Sequence, residues 1–344
     1  MRRLSRTSRK IFLVTDTSLD VLAIGNAIVD VIASADEAFL ERQGLTKGGM
    51  QLIDAARAEQ LYGAMGPGRE ISGGSAANTL AGAAALGARC AFIGQVADDR
   101  LGAVFAHDMR AHGVRFDTPA RPGDPPTGRV LILVTPCGER TMNTLLGASH
   151  YLPMESLDAE LVRSSAILYL EGYLWDPEQP REVMREAIRI ARAAGRKVAM
   201  TLSVNFIIEL HRADLRGLID DGLIDILFVN EEELICLTQD EDLESAIAKV
   251  APKVPLLVVT KGPDGAIAIS DGKRHSVEAE PVERVVDTTG AGDLFAGGFL
   301  AGQAQGRSID DCLRIGAIAA AEVISHYGAR PEADLKALVA EKLG

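Results

Sequence analysis

The residues best placed to do chemistry lie in the run DTTGAGDLFAGG at residues 287–298. Gly290, Ala291 and Gly292 are three small residues in succession, and an apolar helical stretch begins near Asp293. Glycines let the chain turn tightly and let a ligand approach the main chain. The first amides of a helix lack partners inside it, and the helix dipole favours an anion beside them. A carboxylate next to such an anion is repelled by it and so needs another use. Taking the proton of an attacking hydroxyl is one. Asp293 is therefore a candidate general base beside an anion pocket made by Gly290, Ala291 and Gly292. The alternative is a plain helix cap. The run is neither a Walker A loop, since no G-x-x-x-x-G-K-[ST] occurs, nor a dinucleotide fingerprint, since Phe295 stands where the third glycine belongs.

Three other groupings carry polar residues at useful spacings. In SGGSAANT, residues 72–79, Gly73 and Gly74 open a small-residue helix on which Gly74, Asn78 and Gly82 share a face. An Asn on a face of glycines can sit under a polar ligand, or it can bond its own backbone in a close helix–sheet contact. In GNAIVD, residues 25–30, Asn26 and Asp30 fall at the end of the first strand. A carboxylate there suits a vicinal diol, whose two hydroxyls it can accept; turn chemistry accounts for the same residues. In NEEE, residues 230–233, Asn230 and Glu233 lie three apart after an apolar strand. Hard oxygen ligands at a strand end suit Mg²⁺ held through water with phosphates. An N-cap followed by acids in the first helical turn reads equally well.

The elements that must position these groups alternate. Strand-like runs at 21–24, 90–96, 166–170, 197–202, 224–229 and 256–260 are separated by helical segments, among them 98–111 and 180–194. That order predicts an α/β fold with a mostly parallel central sheet flanked by helices, whose ligands bind beyond the carboxyl ends of the strands. Residues 264–270 and 273–279, joined at Asp271-Gly272, read as a late hairpin. Two segments, 38–53 and 118–148, break the alternation with strand and turn signals. Their pairing would make a small β-sheet lid over the site; two ordinary surface hairpins are the other possibility. The expected organisation is an N-terminal extension at 1–19 and a single α/β core at 20–344 bearing that inserted lid.

Composition sets outer bounds. The chain has 344 residues, 47% apolar and 24% charged, which are globular values. Only 4% are aromatic and 34 are glycine, so Ala, Val, Ile and Leu must build the core. The formal charge of −12 argues against a nucleic-acid surface. Arg2, Arg3, Arg6, Arg9 and Lys10 precede the first acid, Asp16, and the apolar stretch that follows them is too short for a signal peptide. No run of about 18 apolar residues occurs, so no membrane span is expected. Cys90, Cys137, Cys236 and Cys312 are far apart with no CxxC, which fits a reducing cytoplasm and gives no zinc site. The six histidines show no metal-ligand spacing, and no G-x-S-x-G signals a hydrolase.

The four groupings in this order, with the signatures GGSAANTLAGAAALGARCAFIGQVADDRLG at residues 73–102 and DTTGAGDLFAGG at 287–298, resemble the ribokinase-like (PfkB-type) carbohydrate kinase family. The resemblance covers about residues 20–330. It implies a ribokinase-like core of eight or nine strands, a small β lid, and ATP-dependent phosphorylation of a primary hydroxyl. It places the family's base on Asp293, its anion hole on Gly290, Ala291 and Gly292, and its diol-binding acid on Asp30. Its Gly-Gly hinge falls on Gly73 and Gly74, its substrate Asn on Asn78, and its Mg²⁺- and phosphate-organising motif on Asn230 and Glu233. Arg140 matches a lid arginine that reaches the transferring phosphate, and the nucleotide would lie near Thr260, Lys261 and Gly262. In some members oxygens around Asp287 and Thr289 hold K⁺, which the sequence leaves open.

Within that family the segment TLSVNF, residues 201–206, is similar to the adenosine-kinase branch, which has Leu-Ser followed by Phe. A flat base needs aromatic or apolar walls, and Tyr173 and Phe206 would supply them unless they are core aromatics. The resemblance thus implies a nucleoside 5′-hydroxyl as acceptor, with a sugar such as ribose, or inosine or guanosine, as alternatives. A noncatalytic nucleoside-binding protein is the reading from another class. A monomer and a homodimer are both compatible with the sequence.

Overall fold

The computed structural model describes residues 17–343, so the basic head at residues 2–10 lies outside the described residues. Among them a nine-stranded sheet runs in the order β14 (Lys273–Val277), β13 (Ala266–Ser270), β12 (Leu256–Thr260), β11 (Ile226–Asn230), β10 (Lys197–Thr201), β9 (Ser165–Glu171), β1 (Leu19–Ile24), β5 (Cys90–Ile93), β6 (Val114–Phe116). The six strand-like runs read from the sequence form its parallel body together with β6, and the late hairpin closes one edge antiparallel.

The central strands are largely apolar because both faces are covered. In β1, Val21 and Ala23 join the core on one face while Leu22 and Ile24 join the other; β11 and β12 divide in the same way. One face carries the helices Ser75–Ala85, Arg100–Ala111, Ala291–Ala304 and Ile309–Val323. The other carries Glu178–Ala193, Asn205–Asp220 and Leu243–Val250. The expected helix at 180–194 is Glu178–Ala193, ended by Gly195 at φ +69°. The one at 98–111 is Arg100–Ala111, capped by the Asp99 carboxylate, which accepts the Gly102 amide at 2.7 Å.

A second sheet has five strands among the described residues, in the order β3 (Met50–Leu52), β8 (Arg140–Leu145), β7 (Gly128–Val134), β2 (Ile28–Ser34), β4 (Gly68–Gly73). The two sequence insertions contribute β3, β7 and β8. Its other two strands were not anticipated. The chain leaves β1 at Gly25 and, three residues later, enters β2, so Asp30 lies within a strand rather than in a turn. The β-branched run Ile28-Val29 and Val31-Ile32 around Asp30 accounts for this. One face of the small sheet buries Val31, Leu131 and Leu133 against Leu40, Leu45 and Leu61. The opposite face, with Ile28, Asp30, Val130, Ile132 and Met142, looks onto a cavity at the carboxyl ends of β1, β9, β10, β11 and β12. Among the described residues no helix is long and apolar enough to cross a membrane.

Candidate active site

The helix Ala291–Ala304 starts from Gly290 at φ +81°, and a Cβ there would lie 2.6 Å from the Ala329 Cβ. Position 290 therefore demands glycine for both backbone and space. The Ala291 amide donates to Thr288 O at 3.2 Å, so it is not free as the sequence suggested. The Gly290 and Gly292 amides find no acceptor among the described residues. They remain available to an anion at this helix start.

Asp293 sits one turn in and joins the two signatures. Ser75 Oγ donates to its Oδ1 at 2.6 Å and Asn78 Nδ2 to its Oδ2 at 2.9 Å. Both donors stand on the helix Ser75–Ala85, whose N-cap is Gly74 at φ +93°. A Cβ at Gly74 would lie 2.2 Å from Asn26 O, which fixes a glycine at this crossing. Burial pushes the Asp293 carboxyl above its ordinary range, against the two hydrogen bonds and the more distant Arg330. The structure thus places Asn78 on the carboxylate of Asp293.

A cavity of about 520 Å³ opens in front of this carboxylate. Asn26, Asp30, Gly74 and Asn78 line it from the first half of the chain. Tyr173, Phe206, Asn230, Glu233 and Thr260 line it from the strand ends, and Thr289 to Asp293 close it. Gly73 is set back, packed on Asp30; Gly262, in the short helical turn Gly262–Asp264, is not at the cavity. Asp30 is pushed up to about 6, burial outweighing the pull of Arg330 and Arg140. Phe206 is 40% exposed, so it is a cavity wall and not a core residue. Tyr173 is partly buried, with its phenol pushed up by burial and then by Asp293 and Glu171.

Asn230 and Glu233 form a full capping box: Glu233 N donates to Asn230 Oδ1 at 2.8 Å, and Asn230 N donates to Glu233 Oε2 at 3.1 Å. The cap expected from the sequence is thus formed, and both residues also line the cavity. Burial raises Glu233 to about 7. Among the described residues no three His, Cys, Asp or Glu side chains converge as a metal cage. The pair thus fits Mg²⁺ only at one remove, through water, with phosphate oxygens supplying the inner ligands.

Arg140 and Asp287 stand behind the cavity wall rather than in it. Arg140 Nη2 lies 2.6 Å from Asp287 Oδ2, Arg140 Nη1 donates to Thr289 Oγ1 at 3.4 Å, and the guanidinium sits 5.4 Å from the centre of the Tyr327 ring. Asp287 also accepts the amides of Thr289 at 3.1 Å and Gly328 at 2.9 Å. Both carboxylate oxygens of Asp287 are thus engaged, whereas the K⁺ expectation at Asp287 and Thr289 also drew on main-chain oxygens there.

Three participants escaped the sequence reading. Ser75 lies within SGGSAANT, where nothing in the sequence sets it apart. Glu171 closes the apolar strand β9. Its buried carboxylate accepts Ala76 N at 2.8 Å, Asn26 Nδ2 at 2.7 Å and Asn26 N at 3.3 Å, and burial raises it to about 7. A carboxylate ending an apolar strand was the available signal. Arg330, buried under the site, carried no motif at all.

The chain is similar to known proteins over most of its length. Residues 50–335 match the pfkB family carbohydrate kinase domain. The adenosine kinase of Sinorhizobium meliloti is 48% identical, with a TM-score of 0.87 over 95% of this chain and 99% of that one. A probable sugar kinase from Rhizobium etli is 45% identical, with a TM-score of 0.88 over the same shares. Adenosine kinase 1 of Arabidopsis thaliana is 29% identical across 90% of this chain and 94% of its own length.

Proposed function

The chain belongs to the pfkB family of carbohydrate kinases, and from that premise we propose that it transfers the γ-phosphoryl group of ATP to the 5′-hydroxyl of a nucleoside, adenosine first among them. The observation that carries this is the Asp293 carboxylate, held between Ser75 and Asn78 at a helix start, facing a cavity with Asp30 on one side and Tyr173 and Phe206 on the other. The full-length similarity to adenosine kinases supports the nucleoside, while the similarity to a probable sugar kinase keeps a sugar as the alternative.

In this reading Asp30 accepts the ribose hydroxyls, and Tyr173 and Phe206 flank the base. Asp293 takes the proton of the 5′-hydroxyl as that oxygen attacks phosphorus. Its raised pKa brings it nearer to working pH, where a general base transfers protons best. The Gly290 and Gly292 amides receive the charge on the phosphoryl oxygens. Asn230 and Glu233 would hold Mg²⁺ through water, and the ion would neutralise the ATP phosphates. The small sheet acts as a lid: its inner face already lines the cavity, and closure over the substrates would exclude water and limit idle ATP hydrolysis. Arg140, at the first residue of β8, would move with it toward the phosphates.

A panel of acceptors tests the reading. With Mg-ATP, ADP release should appear with adenosine and stay near background with ribose and fructose. Turnover on the sugars alone would assign Tyr173 and Phe206 to scaffolding and make the protein a sugar kinase of the same fold.

A further inference from the structure

Arg330 has a setting that the proposed reaction does not yet use. It is buried, with 6% of its surface exposed, on the irregular segment that follows the helix Ile309–Val323. That segment is fastened on both sides: the Gly328 amide donates to Asp287 at 2.9 Å, and Glu322 accepts the amides of Glu332 and Ala333, each at 2.8 Å. From it the guanidinium reaches across the molecule. Nε donates to Ser72 O at 3.0 Å, Nη2 to Ser72 Oγ at 3.1 Å, and Nη1 to Ala77 O. Ser72 precedes the Gly73–Gly74 pair at the end of β4, and Ala77 follows it on the helix that carries Asn78. The planar fork therefore bridges the junction between the small sheet and the large one.

Its partners are neutral oxygens, with Met109 Sδ at 3.7 Å; it makes no ion pair among the described residues. A buried guanidinium left without a contacting carboxylate is costly unless carboxylates nearby offset it. Those facing it are Asp293 on the helix Ala291–Ala304, Asp30 on β2 and Asp108 on the helix Arg100–Ala111. Its charge is also felt at His112, and Arg140 and Asp287 add to the field at Asp30. The first two carboxylates are the proposed base and the proposed diol acceptor.

We propose that Arg330 is a positioning residue: it locks the end of β4 to the helix bearing Ser75 and Asn78, and its buried charge keeps Asp293 and Asp30 ionised for binding and proton transfer. The inference rests on the reading of this site as a kinase centre. The charge favours the ionised form of both carboxylates, in opposition to their burial. The two duties separate by substitution. Arg330→Gln removes the charge. Arg330→Lys keeps it but offers a point in place of a fork. Ser72→Ala removes one hydrogen bond and leaves the charge untouched.

The test is the pH profile of kcat/KM with adenosine and Mg-ATP, alongside KM at pH 8 and a thermal melt for each variant. For Arg330→Gln the acidic limb should move up by roughly 0.5–1 pH unit. For Arg330→Lys and Ser72→Ala the limb should stay at the wild-type position while KM rises several-fold. A folded Arg330→Gln with an unmoved limb overturns the electrostatic role. Unchanged KM in both Arg330→Lys and Ser72→Ala overturns the lock. If Arg330→Gln does not fold, Arg330→Lys decides alone: an acidic limb that shifts with the charge retained contradicts the account. Absence of wild-type turnover on every acceptor would instead sink the kinase reading. Carboxyl ¹³C titration of Asp30 and Asp293, assigned through their Asn variants, then tests Arg330 independently: both must titrate higher in Arg330→Gln than in the wild type, and equal titration refutes the proposal.

Discussion

Replacing Asp30 by Asn should move stability and substrate binding in opposite directions. The carboxylate lies in β2 against Gly73, where a Cβ would stand 2.6 Å from its Oδ2. Burial pushes it from the ordinary 3.8 to about 6, with Asp287 and Asp293 adding to the rise and Arg330 and Arg140 opposing it. A carboxyl whose folded-state pKa is raised favours the fold in its protonated form. That favourable term is complete below the unfolded pKa and is lost as pH rises through about 6. Linkage gives a penalty of less than about 1 kcal/mol at pH 4 that grows to about 3 kcal/mol by pH 8. Asn has nearly the same shape and carries no charge. The Asp30→Asn variant should therefore unfold at higher urea than the wild type at pH 8, with the gap shrinking toward pH 4. Its KM for adenosine should rise roughly 10–100-fold, the worth of a hydrogen bond to a charged acceptor. In the wild type, KM should climb as pH falls through about 6. The assay is a pair of urea titrations from pH 4 to pH 8 with steady-state kinetics on the same preparations. A variant less stable than wild type at pH 8, or a stability gap independent of pH, would refute the reasoning.

Other consequences are simpler. Asp293→Asn preserves the bonding pattern, since an amide can accept from Asn78 and donate to Ser75; kcat should drop by ~10²–10⁴ while Tm holds or rises, and near-normal turnover would remove Asp293 as the base. Phe206→Ala should raise KM for adenosine about 2–10-fold, the range of an aromatic stacking contact, and leave the melting point little changed because the ring is a cavity wall. Gly290→Ala should destabilise the fold by roughly 1–3 kcal/mol in chemical unfolding, because it combines a left-handed backbone with a close approach to Ala329. The acidic limb of kcat should lie above the ordinary carboxylate range, as the raised Asp293 requires.

Much of the architecture was legible because it rests on short-range patterns. Runs such as Leu256–Thr260, apolar on both faces, announce a covered parallel strand, and Gly290-Ala291-Gly292 before an apolar stretch announces a tight turn into a helix. The cavity gathers Asn26, Asp30, Asn78, Asn230 and Asp293 because strand ends and helix starts meet there. What stayed hidden depends on contacts distant in sequence. β2 and β4 pair from Ile28 with Gly73 onward, although two helices and a strand separate them in the chain, so the small sheet was only half visible. Arg330 reaches back 258 positions to Ser72 from a segment without periodicity. Asp287 stood out by its place before the glycine run, but its pairing with Arg140 on β8 was not visible. Glu171 shows the intermediate case, where residue type and place in the strand were visible but its partners, Asn26 and Ala76, were not.

The central claim concerns one oxygen, and product analysis addresses it directly. Adenosine and Mg-ATP are incubated with the protein, and the nucleotide product is identified by ³¹P NMR, with 5′-deoxyadenosine as control. The account predicts phosphate on the 5′ oxygen alone, and a 5′-deoxyadenosine that competes with adenosine without turning over. Phosphate on the 2′ or 3′ oxygen, or ADP released at the same rate with and without nucleoside, would contradict it.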